Sequence, residues 1–324
     1  MDGIIDLALT NLGSPLILFF ALGVFAAVMR SDLYVPEAAA KALSIYLLFA
    51  IGFKGGVSVA EHGVDLALGT TLIAGIALSF ALPLVAFGLL QVLTNLDRTN
   101  AAAVAGHYGS ISIVTFVAAT SVLEDLGIAS EGYMVAVAAA MEAPAIMSAL
   151  WLIGKSGGDR MDNTLMREIL LNGSIVLLIG SFFIGMITGT DGLAEIESFI
   201  VSPFKGVLCL FLLDMGLIAG RGLRQNRSMI TAGFLAFGVL MPVVGALIGG
   251  IVAMTLGLST GGTVLLMVLC ASASYIAVPA AMRVAVPDAD PAIYLTLSLG
   301  ITFPFNLTLG IPLYLAIARL TTGG

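Results

Sequence analysis

Residues 101–122 read AAAVAGHYGSISIVTFVAATSV, with no Asp, Glu, Lys or Arg anywhere in the run. A helix of about 20 apolar residues crosses a hydrocarbon core about 30 Å thick. The centre of this run is not what a lipid-facing helix prefers, because Gly106-His107-Tyr108-Gly109-Ser110-Ile111-Ser112-Ile113-Val114-Thr115 is rich in Gly and hydroxyl residues. A second stretch has the same character: Ala271-Ser272-Ala273-Ser274-Tyr275-Ile276-Ala277-Val278-Pro279. Proline removes an intrahelical hydrogen bond and clashes with the preceding turn, so Pro279 is expected to interrupt this helix.

The rest of the chain extends the reading. Of 324 residues, 59% are hydrophobic and 10% charged, against about 25% charged in soluble domains. Such a chain folds in lipid. There every backbone amide needs a partner inside the protein, which leaves helices or a closed barrel. The apolar runs are continuous and do not alternate as barrel strands do. The expected class is therefore an all-α integral membrane protein.

Apolar runs fall near 14–30, 35–52, 66–94, 100–122 and 130–153, then 168–189, 198–220, 228–256, 262–284 and 290–318, about ten transmembrane helices in all. The polar stretch Gly154–Glu168 separates them into halves, so the expected organisation is a first five-helix repeat over 1–153, a linker over 154–168 and a second repeat over 169–324. An odd number of spans per repeat requires the repeats to be inverted. A shift of 164 residues lays Gly52 on Gly216, Gly56 on Gly220 and Ser110 on Ser274, and a shift of 160 lays Pro144 on Pro304. With both termini outside, Arg30, Lys41, Arg98, Lys155, Arg160, Arg167, Arg221, Arg224, Arg227 and Arg283 sit at cytoplasmic ends, against Lys54, Lys205 and Arg319 elsewhere. That positive-inside bias places the linker in the cytoplasm. Asp2 and Asp6, with no Lys or Arg beside them, do not form the basic start of a cleaved signal peptide, so the first span is expected to remain.

Gly/Pro-interrupted segments at matching places in two repeats point to a transporter's binding site. Half-helix N-termini and serine hydroxyls there offer neutral donors to a small anion. The alternative is that Gly and Ser only let helices pack closely. Glu142, in Ala140-Met141-Glu142-Ala143-Pro144, is an intramembrane carboxylate; it either takes a coupling Na⁺ or proton or bonds to a neighbouring helix. Its counterpart is Thr302, in Ile301-Thr302-Phe303-Pro304-Phe305-Asn306, and Asn306 joins Glu142 as a candidate cation group. Asp214 is a weaker candidate, and Lys54 and Lys205 read as end residues reaching toward water.

Other classes find little support. Cys209 and Cys270 lie in apolar helices without CxxC spacing and read as buried structural cysteines. His107 reads as a packed histidine, His62 falls in an outer loop, and no HExxH, GxxxxGK[ST] or GxSxG occurs. Neither an enzyme, a cofactor nor a nucleic-acid partner is expected.

On these residues the sequence resembles the SbtA-type sodium-dependent bicarbonate transporters. The likeness runs through Gly52–Gly56, Gly109-x-x-Ser112-x-x-Thr115, Leu123-Glu124, Glu142-x-Pro144-Ala145, Ala271-Ser272-Ala273-Ser274 with Pro279 and Arg283, and Ile311-Pro312-Leu313. The resemblance implies a trimer in the plasma membrane, each protomer with a core and a gate domain. It implies bicarbonate held by serines at the two facing breaks, Ser112, Ser272 and Ser274 with Gly109 and Thr115 beside them, with Na⁺ nearby, and a PII-like regulatory protein as a partner on the cytoplasmic face; Ser110, Ala273 and Tyr275 complete the candidate substrate site. The chain departs from the family in places: Glu142 stands where it tends to have Asp, Tyr275 where it usually has Asp, and Ala277 and Val278 where it has small residues. Transport of another small carboxylate or inorganic anion, or a membrane sensor that no longer transports, are the alternatives.

Overall fold

Ser14 starts the first helix by accepting a hydrogen bond from the Ile17 amide, with Pro15 at the position where a missing N–H costs nothing. The computed structural model describes residues 12–63, 66–154, 173–227, 230–275, 278–279, 282, 286 and 288–323. Among these, every regular element is helical. They are α1 (Pro15–Val28), α2 (Glu37–His62), α3 (Leu66–Leu93), α4 (Arg98–His107), α5 (Ile113–Asp125), α6 (Met134–Ala140), α7 (Glu142–Gly154), α8 (Gly173–Ile200), α9 (Phe204–Gln225), α10 (Ala232–Leu256), α11 (Thr260–Ala271) and α12 (Pro291–Thr322). Seven spans among the described residues are long and apolar enough to cross a membrane, α6 and α7 counting together as one; α1 and α11 are shorter and also apolar.

The helices sort into two bundles by packing. In the first, α1 lies along α9 and α2 along α8. In the second, α3 packs on α4, α6, α7 and α10, while α11 is clasped by α5, α10 and α12. Backbone-to-backbone approach holds the first bundle together. Gly56 of α2 faces the Phe182 carbonyl of α8, and Gly216 of α9 faces the Phe20 carbonyl of α1, so that a Cβ at either glycine would collide with backbone. Small residues serve this purpose in lipid, where packing replaces the hydrophobic drive between helices. Gly56→Ala is expected to destabilise the protein by about 1–3 kcal/mol, the usual range for overpacking. A lowered midpoint in a thermal-unfolding scan in detergent checks it; an unchanged midpoint means the helices separate without cost.

Several boundaries differ from the sequence expectation. The second helix was expected to end near residue 52 but continues to His62, so His62 ends α2 and is not a loop residue. Gly52 and Gly56 are packing positions on α8, Gly55 packs on Val135 of α6, and none of them terminates the helix. The fifth span is two helices meeting at Met141, the sixth bends at Gly189 (φ 61°), and α12 holds two π-helical stretches, Thr296–Thr302 and Asn306–Gly310. The linker expected over 154–168 lies, past Gly154, outside the described residues, as do Arg283 and the first eleven residues. Lys54 and Lys205 do not only reach for water; they pair with Glu124 (2.8 Å) and with Asp125, tying α2 and α9 to the end of α5.

Candidate functional site

Asp97 opens α4 by accepting from the Asn100 amide at 3.0 Å, and that bond holds its carboxyl below the usual carboxylate range. This contribution to the helix start is present above the unfolded aspartate range and fades as pH falls through the lowered value. From Ala101 the helix is buried as far as His107, whose Nδ1 bonds the Ala103 carbonyl at 2.7 Å and whose ring stacks on Tyr294. This fits the expectation of a packed histidine.

The chain leaves the helix after His107 and resumes at Ile113, so the interruption expected in the fourth span is present. Glycine is needed inside it, because a Cβ at Gly109 would strike the Pro83 ring. Ser112 caps α5: its Oγ accepts from the Thr115 amide (3.2 Å) and from Thr115 Oγ1 (2.9 Å). In the ninth span α11 stops at Ala271 and Ser272 is extended. Pro279 therefore does not make the break, which lies upstream of it. The reason is long-range: the Ser274 amide, which would continue the helix, donates instead to the His107 carbonyl at 2.8 Å. The Ser112 amide in turn donates to Ser272 Oγ at 2.9 Å. Each break thus supplies an acceptor for a backbone amide of the other, one a carbonyl and one a serine hydroxyl, as membrane depth requires.

Ser110, Ser112, Thr115, Ser272, Ala273, Ser274 and Tyr275 all meet here and are buried. Counting their hydrogen bonds divides them by what they can still offer, a hydroxyl having one donor and two acceptor positions. Both lone pairs of Ser112 Oγ are taken, which leaves its O–H to donate. Ser274 Oγ accepts from Val278 N at 3.3 Å and likewise keeps its O–H. The Tyr275 phenol lies beside Ser112 without forming a well-aligned hydrogen bond. The amides of Ile113 and Val114, first in α5, find no partner among the described residues. These groups can bind an anion.

Ser272 is different, since its O–H goes to Leu269 O at 3.1 Å, and so is Ser110, whose O–H goes to Glu142 Oε2 at 2.5 Å. With Thr115 they retain only acceptors, which suits a cation. Glu142 is 8% exposed and begins α7 just after the Met141 bend, where Ser79 Oγ donates to the Met141 carbonyl. Asn306 stands apart from that group. Its amide donates to the Ala271 carbonyl at 2.8 Å and its oxygen accepts from Tyr314 Oη at 2.7 Å, so it braces the end of α11. Asp214 is buried on α9, within reach of the Arg221 charge. The two cysteines are buried and unpaired.

Sequence reasoning gave no site role to several contributors. Tyr108 Oη bonds Thr302 Oγ1 at 2.7 Å, and Thr302 Oγ1 donates to the Gly238 carbonyl, linking the first break to α12 and α10. Phe303 stands edge-on to Tyr275, and Phe20 of α1 stands edge-on to Phe303, so the site is walled from the first bundle by aromatic rings. Thr302-Phe303 was visible as the counterpart of the Glu142 segment; nothing in the local sequence pointed to Phe20 or Tyr314.

Two interrupted helices meeting inside a multi-pass membrane protein, with unspent donors and acceptors both at the meeting point, define a transporter class of site. The chain belongs to the Na⁺-dependent bicarbonate transporter superfamily, whose family model matches residues 15–319. It is a transporter and not an enzyme. No curated protein sequence matches the chain.

Proposed function

We propose that the protein is a symporter in the plasma membrane that couples bicarbonate entry to a Na⁺ gradient by alternating access. The observation that carries this reading is the division of the crossing. Ser112, Ser274, Tyr275 and the α5 amides retain donors, whereas Ser110, Thr115, Ser272 and Glu142 retain acceptors. An anion and a cation held side by side screen each other, so neither travels as a bare charge through a low-dielectric interior. Family membership supplies the chemical identities, bicarbonate and Na⁺.

We read the helices as ten spans in two inverted repeats: α1, α2, α3, α4–α5 and α6–α7, then α8, α9, α10, α11 with the segment after it, and α12. The packing supports the pairing. Under the repeat relation α2–α8 corresponds to α9–α1, and both contacts use the glycines matched at a shift of 164, Gly56 with Gly220 and Gly52 with Gly216. Ser112 and Ser272, joined by a hydrogen bond, stand 160 residues apart, the same shift that pairs Pro144 with Pro304. The reading includes a homotrimer, and it leaves a PII-like partner to the cytoplasmic face.

Alternating access requires the two bundles to move past each other. The pairs Lys54–Glu124 and Lys205–Asp125 join them at one end and must part when they do. Exposed pairs contribute about 0–1 kcal/mol each. The double variant Glu124→Gln, Asp125→Asn is therefore expected to alter the transport rate by about two- to tenfold with little change in thermal stability. Stopped-flow uptake beside an unfolding scan checks this, and an unaltered rate removes these pairs from the transition.

Tyr275 motivates a second reading, transport of another small carboxylate or inorganic anion, because a phenol in place of a carboxylate donates to any anion and reshapes the site. Competition against labelled bicarbonate uptake in proteoliposomes by formate, acetate, nitrate and sulfate decides the matter. Bicarbonate is expected to compete best. A better competitor among the others assigns the transporter to that anion.

A further inference from the structure

We propose that Arg30, Arg221 and Arg224 form a binding site for a phosphate group, supplied by the headgroup of an anionic lipid. The site is separate from the crossing described above. It is a 150 Å³ cavity where α1 ends beside the last turns of α9, lined also by Ser31, Asp32 and Tyr34. Pockets for drug-sized ligands run from about 300 Å³ upward, so this one suits a headgroup phosphate and not a nucleotide.

The charge count favours an anion. Three guanidinium groups face one carboxylate, Asp32, and among the described residues none of the four makes an ion pair. Asp214, two turns back along α9, is the further acidic group within reach of Arg221. Part of the positive charge has a structural use, since Arg224 Nη1 donates to the Ala27 carbonyl at 2.9 Å and so answers the negative end of α1. A guanidinium has five N–H donors, however, and this bond uses one of them.

The cavity is also built to a fixed shape. The Ser31 amide donates to Ala26 O and the Arg30 amide to Ala27 O, closing the helix with Arg30 at φ 60°. Among the described residues Arg30 is the sole non-glycine in this left-handed region, where glycine sits with less strain. An arginine here sets its side chain at the cavity. Lipid is favoured over free phosphate by the surroundings: Met29 is 64% exposed, Leu33 40% and Tyr34 67%, an apolar rim for acyl chains beside a polar cavity for the headgroup.

The test is native mass spectrometry of the purified full chain with phosphatidylglycerol or phosphatidylcholine added, repeated with inorganic phosphate as competitor. The wild type is expected to retain phosphatidylglycerol over phosphatidylcholine. Arg30→Gln and Arg221→Gln are each expected to weaken retention about fivefold, which corresponds to about 1 kcal/mol per basic residue near an anionic surface. Arg319→Gln, at the far end of α12, serves as the control and keeps wild-type retention. Because Arg30 is exposed and among the described residues makes no side-chain bond that supports the fold, its variant is expected to remain folded and its result counts by itself. Competition by inorganic phosphate supports the site but assigns it to the free ion; no competition assigns it to lipid. Equal retention of both lipids by the wild type, or undiminished phosphatidylglycerol retention by Arg30→Gln, overturns the proposal.

Discussion

Replacing Ser112 with alanine is expected to weaken bicarbonate binding about 10- to 100-fold, since a hydrogen bond to a charged group contributes about 1.5–3 kcal/mol. Ser112 has the clearest case for direct contact, because Thr115 occupies both of its acceptor positions and leaves its O–H without a protein acceptor of good geometry. The same substitution removes the cap of α5, which costs about 1 kcal/mol of stability. That loss is separable from binding by measuring affinity on folded protein below its unfolding midpoint. Ser112→Thr keeps both the cap and the donor and is expected to bind within a few-fold of the wild type. Unaltered affinity in Ser112→Ala takes Ser112 out of the anion site.

The second large effect is expected at Glu142. Glu142→Gln keeps a partner for Ser110 and removes the charge, so uptake should need at least about tenfold more Na⁺ for half saturation. At an effective dielectric of about 20, a cation about 4 Å from a carboxylate gains about 4 kcal/mol, and a third of that already gives the tenfold factor. The measurement is bicarbonate uptake against Na⁺ concentration for the two proteins. A superimposable Na⁺ curve shows that Glu142 serves only to hold Ser110, to which it bonds at 2.5 Å.

Sequence patterns carried the broad architecture because the solvent is written into the composition. A chain with 10% charged residues and long uncharged runs has few alternatives to helices in lipid. The break in the fourth span was legible for a local reason: glycine and serine between His107 and Ile113 are poor residues for a lipid-facing helix. The break in the ninth span was legible only in part. Its existence showed in Ser272-Ala273-Ser274, but its position was set by the amide of Ser274 finding the His107 carbonyl, a partner 167 positions away.

The same limit governs the site. Residue types announced which groups converge, and Ser112, Ser272, Ser274 and Tyr275 do so. Their division into donors and acceptors depends on who bonds whom, and those partners lie far apart in the chain: Glu142 with Ser110, Ser272 with Ser112, Ala271 with Asn306. Asn306 illustrates the consequence. It stood beside Glu142 as a candidate cation group, and Tyr314 and Ala271 engage both ends of its amide. The π-helical turns of α12 that aim these groups have no signature in Thr296–Gly310 that distinguishes them from α-helix.

Na⁺-driven accumulation of labelled bicarbonate tests coupling at the crossing most directly. Proteoliposomes holding the wild-type protein would carry an inward Na⁺ gradient, at a pH where bicarbonate predominates and with equal bicarbonate on both sides. Accumulation above the equilibrium level, abolished by a Na⁺ ionophore and absent from the Ser112→Ala protein, is the expected result. Equilibration at the same rate with and without the gradient, by folded wild-type protein, would contradict it.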